Sequence, residues 1–200
     1  LLEYVVFENL SAPSQSGWEL TGAVTFYEAP VHIYSCKFIR NRAEDALNIV
    51  RTEFTIEKSS FIQAYSDAFD ADFAKGTITN CFFGNSSNDA VDVSGSAVDI
   101  HNIFINTAGD KGISLGENSQ IKASEIKIQN VEIGIASKDL SELIGRDIDI
   151  LDSKIGLAVY QKKSEFGPGA ITIQGLSMEK VAIPYLVEEQ STLIVNKQII

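Results

Sequence analysis

The sequence predicts an all-β chain, a single-stranded right-handed parallel β-helix of about eight rungs with about 22 residues each. Three observations predict it. A small residue recurs every 22 positions at Ala46, Ala68, Ala90, Gly112, Gly134 and Gly156, and Ala182 follows after 26. Each is followed by a large apolar residue: Leu47, Phe69, Val91, Ile113, Ile135, Leu157 and Ile183. The flanking residues alternate with a period of two, as in Ala90-Val91-Asp92-Val93 and Gly156-Leu157-Ala158-Val159, which is strand periodicity. Helical repeats need roughly 33 residues or more, and the Leu and Asn/Cys pattern of leucine-rich repeats is missing.

The elements follow in order. Leu2 to Phe7 read as a first strand. Ser11 to Gly17 is irregular, and Trp18 behind it reads as a cap on the first rungs or a platform for a sugar ring. From there each rung carries three short strands. The upstream ones include Val31-His32-Ile33, Phe54-Thr55-Ile56 and Thr77-Ile78-Thr79. Middle patches follow at Phe38-Ile39, Phe61-Ile62, Phe82-Phe83 and Phe104-Ile105, and the strand at the small residue closes the rung. The rungs run roughly 31–53, 54–76, 77–96, 97–118, 119–139, 140–169 and 170–190, with a partial rung at each end. The ladders Leu47/Phe69/Val91/Ile113/Ile135/Leu157 and Ile49/Ala71/Val93/Leu115/Ser137/Val159 point inward as the core. One elongated turn, holding Tyr160, Lys162, Lys163, Phe166 and Pro168, accounts for the 26-residue step and offers one wall of a binding face.

One period throughout 200 residues makes residues 1–200 a single domain. The chain opens Leu1-Leu2-Glu3 without Met and reads as a piece of something longer. A net charge of −11 argues against nucleic acid and against anionic membrane surfaces. No stretch approaches the roughly 20 apolar residues of a membrane span. Cys36, Ser59 and Cys81 fall in one ladder, so the cysteines stand two rungs, about 9.6 Å, apart. A disulfide needs Cα atoms within roughly 7 Å, so two free buried thiols are expected.

The chemistry concentrates on rungs two to four. Asp45, Asp67, Asp89 and then Lys111 precede the small residue; Asn48, Asp70, Asp92 and then Ser114 lie two positions after it. Strand parity puts Asp70, Asp72 and Asp92 on one outward face, with the small residues beside them leaving room for a ligand. Asp70 and Asp92 are one rung apart, and Asp72 lies about 6.7 Å along from Asp70. Like charges this close repel, so a cation such as Ca²⁺, raised pKa values, or Lys111 and Arg51 should compensate. A solvated acidic face is the plain alternative. Asp45, Asp67 and Asp89 read as turn caps bonded to nearby backbone N–H groups, and Asn80/Asn102 as a structural stack. His32 and His101 are too far along the stack to join the acids.

By period and ladder pattern the chain resembles the pectin-lyase-like superfamily of right-handed parallel β-helices. Gly109-Asp-Lys-Gly-Ile-Ser-Leu-Gly-Glu-Asn118, Ile133-Gly-Ile-Ala-Ser-Lys-Asp139 and Gly156-Leu-Ala-Val-Tyr-Gln-Lys-Lys163 are similar to β-helix domains of large bacterial surface proteins that accompany spore-coat-kinase-like modules. The resemblance implies an exported protein (extracellular, periplasmic or at the cell surface), other domains in the same chain and a polysaccharide partner. It implies no defined reaction. The polygalacturonase motifs Asn-x-Asp, Asp-Asp, Gly-His-Gly and Arg-x-Lys are missing, since rung two carries Asn48-Ile-Val50. Asp70, Asp72 and Asp92 could imitate the Ca²⁺-binding aspartates of pectate lyases, without a matching Arg motif. The leading expectation is a non-catalytic module that binds polysaccharide or a cation through Asn48, Asp70, Asp72, Asp92, Lys111 and Tyr160. The alternative is a polysaccharide lyase or glycoside hydrolase with Asp70, Asp92 and Asp72 as its catalytic set. On either reading no cofactor is required, and Ca²⁺ is an optional one.

Overall fold

A computed structural model describes residues 1–200. It is an all-β solenoid of parallel stacked coils, about 8 turns of roughly 22 residues. The apolar-in, polar-out alternation at a fixed period places each rung on its neighbours, because a rung can bury its inner face only by stacking. Strands 22 or 23 positions apart pair in parallel, for example Phe54 with Gly76 and Ile56 with Ile78. From Ala97 onward the three short strands of a rung merge into one continuous element: Ala97–Gly116, Gln120–Lys138, Glu142–Tyr160 and Ala170–Val187. Antiparallel pairing is confined to two hairpins, Ser14–Gln15 with Trp18–Glu19 and Thr192–Val195 with Gln198–Ile199.

The core is the inside of the coil. Both inward ladders are buried along their length, from Leu47 to Leu157 and from Ile49 to Val159. The middle strands add a column of stacked phenylalanines. Phe7–Phe38, Phe38–Phe61 and Phe61–Phe83 have ring centroids 4.9, 4.7 and 4.8 Å apart, which is the strand spacing itself. Corners are turned by single residues in the left-handed region. Lys58, Asn80 and Asn102 form one such column, and Asn102 donates to Asn80 Oδ1 at 2.6 Å.

The cysteine ladder stands as expected. Cys36 N–H donates to Ser59 Oγ, Phe82 N–H to the Ser59 carbonyl, and both thiols are free and buried. Burial pushes the Cys81 thiol up to about 11. Ser96, Ser119 and Ser141 form a similar ladder, each Oγ accepting the N–H of the preceding rung.

Three expectations are corrected. Position zero faces the core and not the acids: Ala46, Ala68 and Ala90 belong to the main apolar cluster. A Cβ at Gly134 would meet Gly156 O at 2.6 Å and the Ile150 side chain at 2.8 Å. Alternation breaks there because the chain enters the strand from a corner, so positions zero and one both point inward. Ala182 is also not the seventh member of the series. Ile155 pairs with Ile183 and Leu157 with Tyr185, so Pro184 takes the place of Gly156. Trp18 caps nothing: it is exposed on its hairpin and absent from the side chains packed on the core.

Candidate functional site

The last strand of each rung presents two outward rows. One runs Asn48, Asp70, Asp92, Ser114, Ala136, Ala158 in unbroken register. The other runs Val50, Asp72, Ser94, Gly116 and is continued by Lys138 and Tyr160. Asp45, Asp67, Asp89 and Lys111 form a third column at the strand entry. Asp70, Asp72, Asp92 and Asn48 therefore share one face, while Lys111 and Tyr160 lie further along it.

The entry column caps the rungs across the stack. Asp67 Oδ1 accepts from Asp89 N–H at 2.8 Å and from the Asn88 amide at 2.7 Å. Asp89 Oδ1 accepts from Lys111 N–H at 2.8 Å, with Lys111 Nζ at 3.5 Å. These bonds hold carboxylates, but burial opposes the charge more strongly. It pushes Asp45 and Asp67 up to about 6; Asn48 restrains Asp45 and the Asp89 backbone restrains Asp67. Asp89 is pushed up to about 7, with the Lys111 ammonium pulling the other way.

Asp70 is the extreme case. Burial and then the charges of Asp45, Asp72, Asp92 and Asp67 push it up to about 9, so it holds a proton at neutral pH. Burial raises Asp72 as well. No Lys or Arg pairs with Asp70, Asp72 or Asp92; Arg51 instead stands over the Phe73 ring, 5.9 Å from its centroid. The acids face Asn48, whose Nδ2 lies 3.0 Å from Asp45 Oδ2 and Thr21 Oγ1 and 3.4 Å from Asp70 Oδ2 and Asp72 Oδ2.

A second feature marks the same row. Asn48 Oδ1, Asp92 Oδ1 and Ser114 Oγ are buried and have no hydrogen-bond partner. Asn48 is 2% and Ser114 0% exposed. Buried polar atoms without partners cost free energy, and three of the six in this protein lie in this one row. All three can accept a hydrogen bond.

The far half of the face differs. Tyr160 packs on Ala136 and Ala158, and burial raises its phenol. The elongated turn is anchored behind it. Asp139 accepts from Lys162 and Lys163 N–H at 2.7 Å each, and Lys163 Nζ pairs with Glu117. Sequence reading missed Lys138. Only 8% exposed, it reaches back over Gly116, placing Nζ 3.5 Å from where a Cβ at that residue would stand. The signal was present: a glycine one rung before a long cationic side chain leaves it a trough. Thr21, which accepts from Asn48, was missed because it precedes the regular rungs.

A groove of about 860 Å³ lies elsewhere, along the upstream strands, lined by exposed Glu53, Lys75, Asp99 and Lys122. None of the unpartnered buried atoms lines it. It offers room, whereas the acid face offers chemistry. His32 bonds Glu57 and His101 bonds Ser124, both away from the acids. No group of three or more His, Cys, Asp or Glu side chains converges as a metal site would. No helix is long and apolar enough to cross a membrane.

No protein-family model matches the chain, and no curated protein does. Among solved structures it is similar to the catalytic domain of a GH87 alpha-1,3-glucanase variant in complex with tetrasaccharides. The TM-score is 0.30 at 9% identity, over 83% of this chain and 49% of that one. The chain thus spans about half the length of that neighbour.

Proposed function

We propose that the chain is a β-helix module that binds polysaccharide on the face formed by Asn48, Asp70, Asp72 and Asp92, with Lys111 and Tyr160 at its far end. The observation that carries this reading is the row of unpartnered buried acceptors at Asn48, Asp92 and Ser114, beside carboxyls that no cation neutralises. A sugar chain supplies hydroxyl donors in a row. Successive members of the row stand one rung, about 4.8 Å, apart, and the side chains over the buried acceptors must shift for a hydroxyl to reach them. A protonated Asp70 donates in return. The acidic surface disfavours anionic glycans unless a cation accompanies them, and Ca²⁺ would enter only where Asp70 has lost its proton. In keeping with its resemblance to bacterial surface β-helix domains, the module belongs to an exported protein with further domains.

Calorimetric titration tests the reading. Maltohexaose, cellohexaose, laminarihexaose and chitohexaose are added at pH 6.5, and polygalacturonate with and without Ca²⁺. Binding of a neutral hexasaccharide that Asp70→Asn/Asp92→Asn abolishes is the expected result. Equal binding by that variant would move the site off the acid face.

Catalysis is favoured by the grouping of Asp70 with two further carboxyls on one rigid face, where burial and the neighbouring acids push Asp70 up to about 9. Asp70/Asp92 and Asp70/Asp72 have backbone separations of about 4.8 and 6.7 Å, against carboxyl separations of about 5–5.5 Å in retaining and about 6.5–9.5 Å in inverting enzymes. Reducing ends released from the bound hexasaccharide, and lost in Asp70→Asn, would make the module a glycoside hydrolase; unsaturated products would make it a lyase.

A further inference from the structure

Five successive strands each send one charged side chain into the groove on the upstream face, and the sign alternates along the stack: Glu53, Lys75, Asp99, Lys122, Glu142. All five are exposed. Glu53 is the register partner of Lys75, and Asp99 of Lys122. Lys75 and Asp99 stand two residues out of register on adjacent strands, as do Lys122 and Glu142. Opposite charges placed this way pair elsewhere on the surface, where Lys154 meets Glu132, 22 residues before it. In the groove none of the five belongs to an ion pair. His32, which also lines it, is taken up by Glu57. The five charges thus stand open to solvent around a floor of small side chains, Thr55, Thr77 and Ala97. The concavity measures about 860 Å³, and its charges span about 19 Å at the rung spacing.

We infer that this groove binds a zwitterionic polysaccharide, a chain in which amino sugars and uronic acids alternate, laid parallel to the solenoid axis. The site is separate from the acid face and stands or falls independently of it. An extended chain of β-linked pyranoses advances by close to one rung per ring, so cationic and anionic rings in turn meet carboxylates and ammonium groups in turn. An extended peptide advances about 3.3 Å per residue and falls out of step with rungs about 4.8 Å apart. A polyanion would gain Lys75 and Lys122 but face Glu53, Asp99 and Glu142. A polycation would gain the three carboxylates but face the two lysines, and like-charge contact of either kind costs affinity. An alternating chain satisfies every charge in the groove. Thr55 and Thr77 add hydroxyls that donate to and accept from those of the rings.

The probe is the hexasaccharide of de-N-acetylated hyaluronan, in which glucosamine and glucuronate alternate. It is compared with the hyaluronan and chitosan hexasaccharides by calorimetric titration at pH 5.5, where amines and carboxylates are both charged. Lys75→Glu/Lys122→Glu makes the groove wholly acidic. That variant is expected to bind the zwitterion about tenfold more weakly or worse and the chitosan hexasaccharide about tenfold more tightly, a gain that mere unfolding would not give. Asp70→Asn/Asp92→Asn should leave the zwitterion's affinity within about twofold. Loss of binding in the acid-face variant but not in the lysine variant would seat the ligand on the acid face and overturn the inference. So would a lysine variant whose preferences match those of wild type. A wild type that does not bind the zwitterion overturns it outright, and a lowered thermal midpoint of the lysine variant would then make the alternating charges a device of sheet stability.

Discussion

The amide nitrogen of Asn48 lies 3.4 Å from Oδ2 of Asp70, one rung along the stack. The same nitrogen is 3.0 Å from Asp45 and from Thr21, and 3.4 Å from Asp72. Two hydrogens thus serve four acceptors, so some of the acids must hold their own protons or repel one another. Asn48→Ala is expected to remove the bonds that hold Asp45 and Asp72 down, raising both pKa values further. It should cost about 1–3 kcal/mol at pH 7, measured by chemical denaturation. A neutral effect would mean that the amide does not organise the acids.

The acid cluster sets the sign of the pH dependence. Asp45, Asp67, Asp70 and Asp89 all have folded-state values above the ordinary 3.8. Between the two values the folded chain holds more protons than the unfolded one, so stability falls as pH rises. The contribution is complete below about pH 4. It is lost through about 6 for Asp45 and Asp67, about 7 for Asp89 and about 9 for Asp70. Thermal midpoints should therefore decline from pH 5 to pH 9. Asp70→Asn should flatten the upper part of that decline and gain roughly 1–3 kcal/mol at pH 8.5, less than full linkage because neighbouring acids share the proton. A midpoint that rises through this range would sink the assignment.

Position zero gives a prediction opposite to the one parity suggests. Ala68 is 1% exposed inside the main cluster, so Ala68→Leu overpacks the core at a cost of about 1–3 kcal/mol. Gly134→Ala should cost more than its size implies, because the new Cβ would fall 2.6 Å from a backbone oxygen that has no room to move. Denaturation midpoints of the two variants check both expectations, and an unchanged Ala68→Leu would return the small column to the outer face.

That contrast shows which parts of the molecule can be read from the chain. The period was legible because each rung repeats the same burial problem, so Leu47, Phe69 and Val91 had to recur. The face shared by Asp70, Asp72 and Asp92 was legible because alternation holds within a strand. The orientation of Ala68 was not, since one residue at a corner obeys the turn and not the pleat. Nor was the depth of the acids. Whether Asp70 is solvated depends on neighbours from three rungs and on how close the columns stand, and no spacing rule carries that. Lys138 escaped because its reach over Gly116 is a property of two rungs read together.

Lys111 separates charge pairing from packing. Its Nζ stands 3.5 Å from Asp89, and both side chains are largely buried. Above pH 7 Asp89 is ionised and Lys111 is its only cation, so Lys111→Met leaves a buried carboxylate unpaired or forces it to take a proton. The expected cost at pH 8.5 is about 1–3 kcal/mol, below the full figure for a buried pair because the Asp89 carboxylate keeps the Lys111 backbone N–H. At pH 5 Asp89 is neutral in both proteins, and the methionine's apolar length replaces most of the lysine stem, so the cost should fall to less than half. Denaturant titrations at the two pH values read this difference directly. Equal costs at both would mean that Lys111 contributes by packing and by its pairing with Asp110, and that Asp89 carries no charge for it to balance.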